Sequence, residues 1–295
     1  MTTLQNLSQT LVRLQAQGLE RLDAQLLLLH VLNKPQSDRG WLLSHDTDNL
    51  PVASADLLRA LARRRLAGEP LAYLTGGKDF YGLNLHVSPD VLVPRPDTET
   101  LVDWLLQGLP AAARQQDDKA PGGANEADRV RVLDLGTGSG AIALAVKASR
   151  PDVHVSATDL SATALAIAQS NAQRLKLHIE FNQGPWLAAL PAGSPPFDLI
   201  ASNPPYIAER DPHLAALRFE PLQALTSGSD GLKDLRQIVA SAPVHLKAGG
   251  WLLLEHGYDQ AAAVCQLLLA SGFTRVQSRC DLAGIERCSG GQIPL

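Results

Sequence analysis

The sequence predicts an α/β fold, a largely parallel sheet flanked by helices, preceded by a smaller helical region. Three observations carry this reading. From about residue 130 onward, short apolar runs alternate with longer segments at helical spacing, the order that builds βαβ units. One such run, Val130-Arg131-Val132-Leu133-Asp134, passes through Gly136-Thr137-Gly138-Ser139-Gly140 directly into Ala141-Ile142-Ala143-Leu144-Ala145-Val146. Another, Phe197 to Ser202, ends on Asn203-Pro204-Pro205-Tyr206. Two consecutive prolines cannot donate to a ladder, so that strand must stop there.

Residues 1–75 are leucine-rich at helical spacing. Leu4, Leu7, Leu11 and Leu14 fall on one stripe, and Leu22, Leu26 and Leu29 on another. Pro35 and Pro51 interrupt the pattern, which leaves four or five short helices. Residues 76–96 read as a linking β-hairpin, with Phe80, Leu83, Leu85, Val87, Val91 and Val93 alternating around Ser88-Pro89-Asp90. A third segment, 97–295, opens on Asp97 or Thr98 as a helix cap, with Leu101, Val102, Trp104 and Leu105 as that helix's apolar face. Pro110 to Asp128 has no periodicity and reads as a surface loop. Strands are expected near 130–134, 153–158, 178–181, 198–202, 250–255, 272–277 and 285–289. Helices are expected near 139–149, 161–174, 233–246 and 258–270.

Composition narrows the function classes. The net charge of −4 is small and the basic residues are not massed, which argues against a duplex-binding surface. The one tight basic run, Arg63-Arg64-Arg65, reads as a solvated helix face. Cys265, Cys280 and Cys288 show no metal-ligand spacing, so no metal is expected, and their odd number argues against a disulfide scaffold. A reducing, cytoplasmic setting fits. No apolar stretch is long enough to span a membrane, and the first residues lack a signal-peptide core.

The site is read from three segments. Glycines at alternate positions let the turn at Gly136 to Gly140 approach a ligand without a Cβ in the way. Gly136-x-Gly138-x-x-Ala141 also satisfies the dinucleotide fingerprint, so this turn alone does not choose a cofactor. Val153 to Thr158 gives a second strand ending on Asp159, whose carboxylate can accept from both ribose hydroxyls of a nucleoside. An adenosine-like cofactor follows. Asn203-Pro204-Pro205-Tyr206 then presents one amide, one free carbonyl and one aromatic face at a strand's carboxyl end, where open α/β sheets bind ligands.

Asp134-Leu135-Gly136-Thr137-Gly138-Ser139-Gly140, then Asp159, then Asn203-Pro204-Pro205-Tyr206 resembles the class I S-adenosyl-L-methionine-dependent methyltransferases acting on a planar nitrogen. Adenine-N6 methyltransferases share the tetrapeptide, so it identifies the chemistry before the substrate. The substrate signal lies upstream, in Gly68-Glu69-Pro70-Leu71-Ala72-Tyr73-Leu74-Thr75-Gly76, Phe80-Tyr81-Gly82 and Val91-Leu92-Val93-Pro94-Arg95-Pro96-Asp97-Thr98-Glu99. With Glu220-Pro221, Asp230-Gly231-Leu232, Glu255 and Gln260, these resemble the release factor glutamine N5-methyltransferase family over nearly the whole chain. The departures are the polar insertion near residues 110–128 and Leu85, where an aromatic is commoner.

The resemblance implies a Rossmann-like sheet whose last strand runs antiparallel. It implies S-adenosyl-L-methionine as cofactor, held by Gly136, Thr137, Gly138, Ser139, Gly140, Asp159, Trp186 and Asn203. It implies a glutamine amide as acceptor, engaged by Asn203, Pro204, Pro205 and Tyr206, with Asn203, Pro204 and Tyr206 catalytic. For Trp186, ordinary core packing stands beside adenine contact. His256 reads as a packed strand-end histidine. The partner implied is a class 1 peptide chain release factor, recognised by the N-terminal helices, with no nucleic acid, and a monomer is expected. The rivals are an adenine-N6 nucleic-acid methyltransferase, a non-catalytic nucleoside-binding protein and, more remotely, an oxidoreductase. Gly290-Gly291-Gln292 repeats the family's own substrate motif, and in a short tail after the last strand it reads as coincidence.

Overall fold

The structure, a computed structural model, describes residues 6–110 and 129–295. Leu4 and nearly all of the expected loop at 110–128 therefore lie outside the described residues. The chain divides into two compact units, Met1–Gly77 and Lys78–Leu295.

The first unit holds five helices: α1 (Leu7–Ala16), α2 (Arg21–Val31), α3 (Arg39–Ser44), α4 (Val52–Leu66) and α5 (Leu71–Thr75). Asn6 and Gln9 close a reciprocal capping box at the start of α1, satisfying two donors that the helix cannot. Leu7 and Leu14 are buried as their stripe predicts. The second stripe is displaced: Leu22 is exposed, and Ala24, Leu27, Leu28 and Val31 face the core with Leu29. Those residues follow the i, i+3, i+4, i+7 rule better than the leucines at 22, 26 and 29. The basic run is only partly a solvated face, because Arg64 pairs with Glu69 and Arg65 pairs with Asp23 at 2.6 Å.

The hairpin turns earlier than the alternation suggests. Strands β1 (Gly77–Phe80) and β2 (Leu83–His86) are joined by Tyr81-Gly82, not by Ser88-Pro89-Asp90. Both turn residues have positive φ, +48° and +74°, the two-residue geometry whose twist matches paired strands. Val91 and Val93 are buried but not in a strand. Pro94 and Pro96 remove ladder donors there, and the Val93 N–H donates instead to the Glu220 carboxylate at 3.1 Å.

Helix α6 (Thr98–Gly108) follows, and neither Asp97 nor Thr98 caps it through a side chain. Asp97 already has helical backbone angles and lies 3.6 Å from Arg287 Nε, while the Thr98 hydroxyl is taken up by Asn203.

The expected alternation then appears as β3 (Arg131–Leu135), α7 (Ala141–Ser149), β4 (His154–Asp159), α8 (Ala162–Leu175), β5 (Glu180–Gln183), β6 (Phe197–Ser202), α9 (Lys233–Ser241), β7 (Leu246–Glu255), α10 (Ala261–Ala270), β8 (Thr274–Cys280) and β9 (Glu286–Gln292). The sheet order is β5-β4-β3-β6-β7-β9-β8. Strands β3 to β7 pair in parallel, and β9 is antiparallel to both of its neighbours. Successive residues serve opposite faces. Val132, Leu199 and Leu253 join α6 and α7 in one core, while Leu133, Ile200, Leu252 and Leu254 join α9 and α10 in the other.

Gly290-Gly291-Gln292 is not a tail; it completes β9 between β7 and β8. The glycines are there for packing. A Cβ at Gly290 would stand 2.8 Å from the Leu252 carbonyl and 3.0 Å from the Trp104 ring, and one at Gly291 would stand 2.8 Å from Phe273. Gly290→Ala should therefore overpack this seam and destabilise the protein by about 1–3 kcal/mol. Urea unfolding measures it, and an unchanged midpoint would show that the seam has room to spare.

Candidate active site

The carboxyl ends of β3, β4 and β6 converge on one pocket. The Gly136 and Thr137 N–H groups both donate to the Thr158 carbonyl, at 2.8 and 2.9 Å, so the glycine turn hangs from the end of β4. Gly138 N–H donates to Asp159 Oδ2 at 2.8 Å, and Ser161 N–H donates to Oδ1 at 2.9 Å. These two donors, together with the Leu160 N–H, hold the Asp159 proton affinity down, yet burial outweighs them and raises the carboxyl above its ordinary value. Three backbone donors leave the carboxylate with acceptor capacity for a hydroxyl from the pocket.

Gly136, Thr137, Gly138, Ser139, Asp159, Trp186, Asn203 and Pro205 all line this pocket. Gly140 does not; it ends the turn at φ +88° and starts α7. Trp186 serves both of its readings, since its ring packs against the β3–β7 core and also lines the pocket. A Cβ at Gly136 would lie 3.0 Å from that ring, so the glycine keeps the gap between turn and indole open. An open gap, a carboxylate and a turn of backbone donors suit a nucleoside carrying a charged tail.

Asn203 follows Ser202, whose hydroxyl donates to the Leu135 carbonyl at 2.7 Å and ties β6 to β3. The Asn203 NH2 donates to Thr98 Oγ1 at 3.1 Å, which leaves its carbonyl oxygen as the unclaimed end of the amide. Pro204 is buried behind the pocket wall. Tyr206 is half-buried and outside the wall, its hydroxyl 3.5 Å from Glu255 Oε1. Burial, then the Glu255 charge, raises the Tyr206 phenol well above its usual range, so it stays protonated. Its carbonyl accepts from Gln260 Nε2 at 3.0 Å, and Gln260 Oε1 accepts the Gly257 N–H at 2.8 Å. The turn bearing the tetrapeptide is thus pinned to the loop before α10.

Sequence reasoning gave no site role to Arg95, Thr98, Asp134 or Glu255. Arg95 lines the pocket and pairs with the buried Glu220. Glu255 is buried, and burial pushes its carboxyl up to about 7. Asp134 is fully buried beneath the glycine turn, with Oδ2 accepting from the Thr137 hydroxyl at 2.6 Å and from Ala143 N–H at 3.2 Å. Charged residues in an apolar run, as at Asp134 and Glu255, were the available signal. His256 is buried as a packed histidine, its ring nitrogens 2.9 Å from the Gly257 carbonyl and 2.7 Å from Ser289 Oγ. No group of metal-binding side chains occurs among the described residues. No helix among them is long and apolar enough to cross a membrane.

Known proteins resemble this chain in sequence and fold. The PrmC N-terminal domain family matches residues 5–76, and the methyltransferase small domain family matches residues 124–219. A release factor glutamine methyltransferase of Bordetella pertussis is 52% identical over 278 residues, covering 94% of this chain and 96% of that protein. The chain belongs to the release factor glutamine methyltransferase family. A second member, from Coxiella burnetii, is 45% identical over 90% of each chain. Among solved structures, a methyltransferase from Pyrococcus furiosus superposes with a TM-score of 0.52 at 16% identity, over 79% of this chain and 98% of that one. The hMettl16 catalytic domain, in complex with the MAT2A 3'UTR hairpin 6, gives the same TM-score at 16% identity over 81% of each. These two share the methyltransferase fold, and a fold does not choose the acceptor.

Within this family member, Asp134 makes stability depend on pH. Burial pushes its carboxyl from 3.8 to about 7, so the folded state holds that proton more tightly than the unfolded chain. The stability it contributes is complete below the lower value and is lost as the pH rises through the upper one. Asp134→Asn, which does not titrate, should gain on the wild type by about 1–3 kcal/mol between about pH 5 and about pH 8. Urea unfolding at the two pH values measures the difference; one independent of pH would exclude the assignment.

Proposed function

We propose that this protein transfers a methyl group from S-adenosyl-L-methionine to the side-chain amide nitrogen, N5, of the glutamine in the Gly-Gly-Gln motif of peptide chain release factors. The family supports the substrate, because its members from both bacteria are named for release factor glutamine. The observation that carries the chemistry is the Asn203 amide, at the pocket wall with its NH2 already committed to Thr98. Its oxygen is the end left to receive a hydrogen-bond donor, and a glutamine side chain offers an NH2.

A carboxamide nitrogen is a poor nucleophile because its lone pair is delocalised into the carbonyl. Asn203 Oδ1 and the Pro204 carbonyl each accept one hydrogen of the substrate NH2, which places charge on nitrogen and turns its face toward the methyl donor. Pro205 has no N–H, so nothing in the tetrapeptide competes as a donor at that position. Tyr206 supplies a flat surface beside the amide and, being protonated, no negative charge. The cofactor, when bound, supplies an activated methyl group on a sulfonium. Asp159 would hold its ribose hydroxyls, the turn from Gly136 to Gly140 would lie against its amino-acid end, and Trp186 would pack on its adenine. No strong base is required, because a methylated amide that carries positive charge loses its proton readily. The helices of residues 1–75 recognise the release factor, and the protein works as a monomer in the cytoplasm without binding nucleic acid.

The reading is tested by mass spectrometry of a release factor incubated with the protein and cofactor. One added methyl on the Gly-Gly-Gln glutamine is expected, and an unmodified glutamine with methylated nucleic acid would replace this reading by the adenine-N6 alternative. Asn203→Ala should slow single turnover on the order of a hundredfold at saturating cofactor, the loss of roughly 2–4 kcal/mol of transition-state contact. A rate near wild type would sink the mechanism. Asp159→Ala leaves two ribose hydroxyls unpaired, a cost of about 1–3 kcal/mol in cofactor affinity with the fold intact. Calorimetric titration with S-adenosyl-L-methionine reads it, and unchanged affinity would remove Asp159 from the cofactor site.

A further inference from the structure

Two prolines in a row leave Asn203-Pro204-Pro205-Tyr206 with little main chain to hold it in place. Neither Pro204 nor Pro205 has an N–H, and the β6 ladder has ended at Ser202. Among the described residues, the Tyr206 carbonyl is the one main-chain group of Pro204, Pro205 and Tyr206 that makes a hydrogen bond, and its partner is Gln260 Nε2 at 3.0 Å. The next bonds come at Ile207, whose N–H donates to the Leu225 carbonyl and whose carbonyl accepts from the Ser227 N–H, each at 2.9 Å. The tetrapeptide is therefore a span between two fixed ends, with one main-chain tether just before the far one.

Gln260 stands at the start of α10, where a side chain would ordinarily cap the helix, yet it makes no cap hydrogen bond. Its amide joins two loops instead. Oε1 accepts the Gly257 N–H at 2.8 Å, and Nε2 donates to Tyr206. The first bond fixes the sense of the second. An amide turned round would set its NH2 against the Gly257 N–H and its oxygen against the Tyr206 carbonyl, donor on donor and acceptor on acceptor. Gly231 closes on the same bond. It is buried at φ +75°, and a Cβ there would collide with the Tyr206 carbonyl oxygen and stand 2.8 Å from Gln260 Nε2.

We propose that Gln260 is a positioning residue that sets the tetrapeptide in register with the substrate amide. Its one directed donor is taken by the Tyr206 carbonyl, so the Pro204 carbonyl two residues earlier stays open for the substrate NH2. The same bond fixes the backbone that carries the Tyr206 ring. Gln260 does not line the pocket, and it bears on the reaction only through the tetrapeptide. The inference rests on the proposed roles of Pro204 and Tyr206 and adds what holds them in place.

The test uses the full-length protein with a release factor and S-adenosyl-L-methionine. Gln260→Leu keeps most of the bulk and removes both bonds. Single turnover at saturating cofactor should slow on the order of tenfold to a hundredfold, with cofactor affinity unchanged by calorimetry. Gln260→Glu gives the sharper readout. An ionised carboxylate sets an acceptor against the Tyr206 carbonyl, whereas a protonated one accepts from Gly257 and donates to Tyr206, as the glutamine does. Its rate relative to wild type should rise on the order of tenfold as the pH falls from about 8 to about 5.5, since a carboxyl facing a carbonyl holds its proton more tightly. Gln260→Leu should show no such rise. The surrounding groups are the same in both proteins, so the ratio isolates residue 260: Glu255, Tyr206, His256, Tyr258 and Asp259, and Asp230 with its partner Arg236. The bond is also read with neither ligand bound. Tyr206-Ile207 is the only Tyr-Ile pair in the chain, so isotope labels on tyrosine carbonyls and isoleucine nitrogens give one shared resonance. That carbonyl should move upfield in Gln260→Leu and return in Gln260→Glu at the lower pH.

A wild-type rate in Gln260→Leu, a Gln260→Glu ratio that is flat with pH, or a carbonyl resonance unmoved by Gln260→Leu would each overturn the proposal. If Gln260→Leu does not fold, Gln260→Glu at the two pH values decides alone. If the wild type adds no methyl to the release factor glutamine, the proposed function falls instead, and the carbonyl resonance still decides whether Gln260 holds Tyr206.

Discussion

Two N–H groups sharing one carbonyl set the geometry on which the pocket depends. Gly136 and Thr137 both donate to Thr158, and this happens because a parallel sheet places the end of β3 beside the end of β4 with its acceptors unsatisfied. The turn cannot rise away from the sheet without breaking both bonds. Gly138 then reaches Asp159, so the carboxylate and the turn are parts of one rigid object. The same logic repeats one strand away, where Ser202 binds the Leu135 carbonyl and brings the start of the tetrapeptide into line with the turn. Position in this site comes from strand ends, and loops only carry side chains the last few ångströms.

The buried acids give the site its second property. Asp134 and Glu255 are both nearly inaccessible, and each has one oxygen without a partner in hydrogen-bonding geometry. An unsatisfied carboxylate in low dielectric is costly, and such groups persist where they organise others. Asp134 holds the Thr137 hydroxyl and the first turn of α7. Glu255 faces the Tyr206 hydroxyl across 3.5 Å. One acid shapes the wall around Asp159 and the other shapes the wall around Asn203.

Much of this was legible in the residues because the signals were local. A glycine turn between strand and helix, an acid ending the next strand and a double proline ending another are each readable within about ten residues. The helix and strand alternation after residue 130 survived to within a few residues, since both faces of a parallel sheet are buried and its runs are unmistakable. What failed was one unusual local turn and two non-local contacts. The hairpin at Tyr81-Gly82 depends on a positive φ at tyrosine, which no propensity for tyrosine suggests. Thr98 looked like a cap because threonine caps helices, yet its hydroxyl serves a residue more than a hundred positions away. The glycines at 290 and 291 looked like a tail because the strand's reason for having them lies in Leu252, Trp104 and Phe273, none of them nearby in sequence.

The place of β9 has a consequence for how the sheet is assembled. It is the last strand in order, yet it lies between β7 and β8. Without residues 286–292, β7 and β8 would have no shared neighbour, and each would present an open row of N–H and C=O groups. A chain halted before that segment is left with two unpaired edges, which other chains can join. The smallness of Gly290 and Gly291 is what lets that one strand satisfy both edges at once, since a Cβ at either position would meet Trp104 or Phe273.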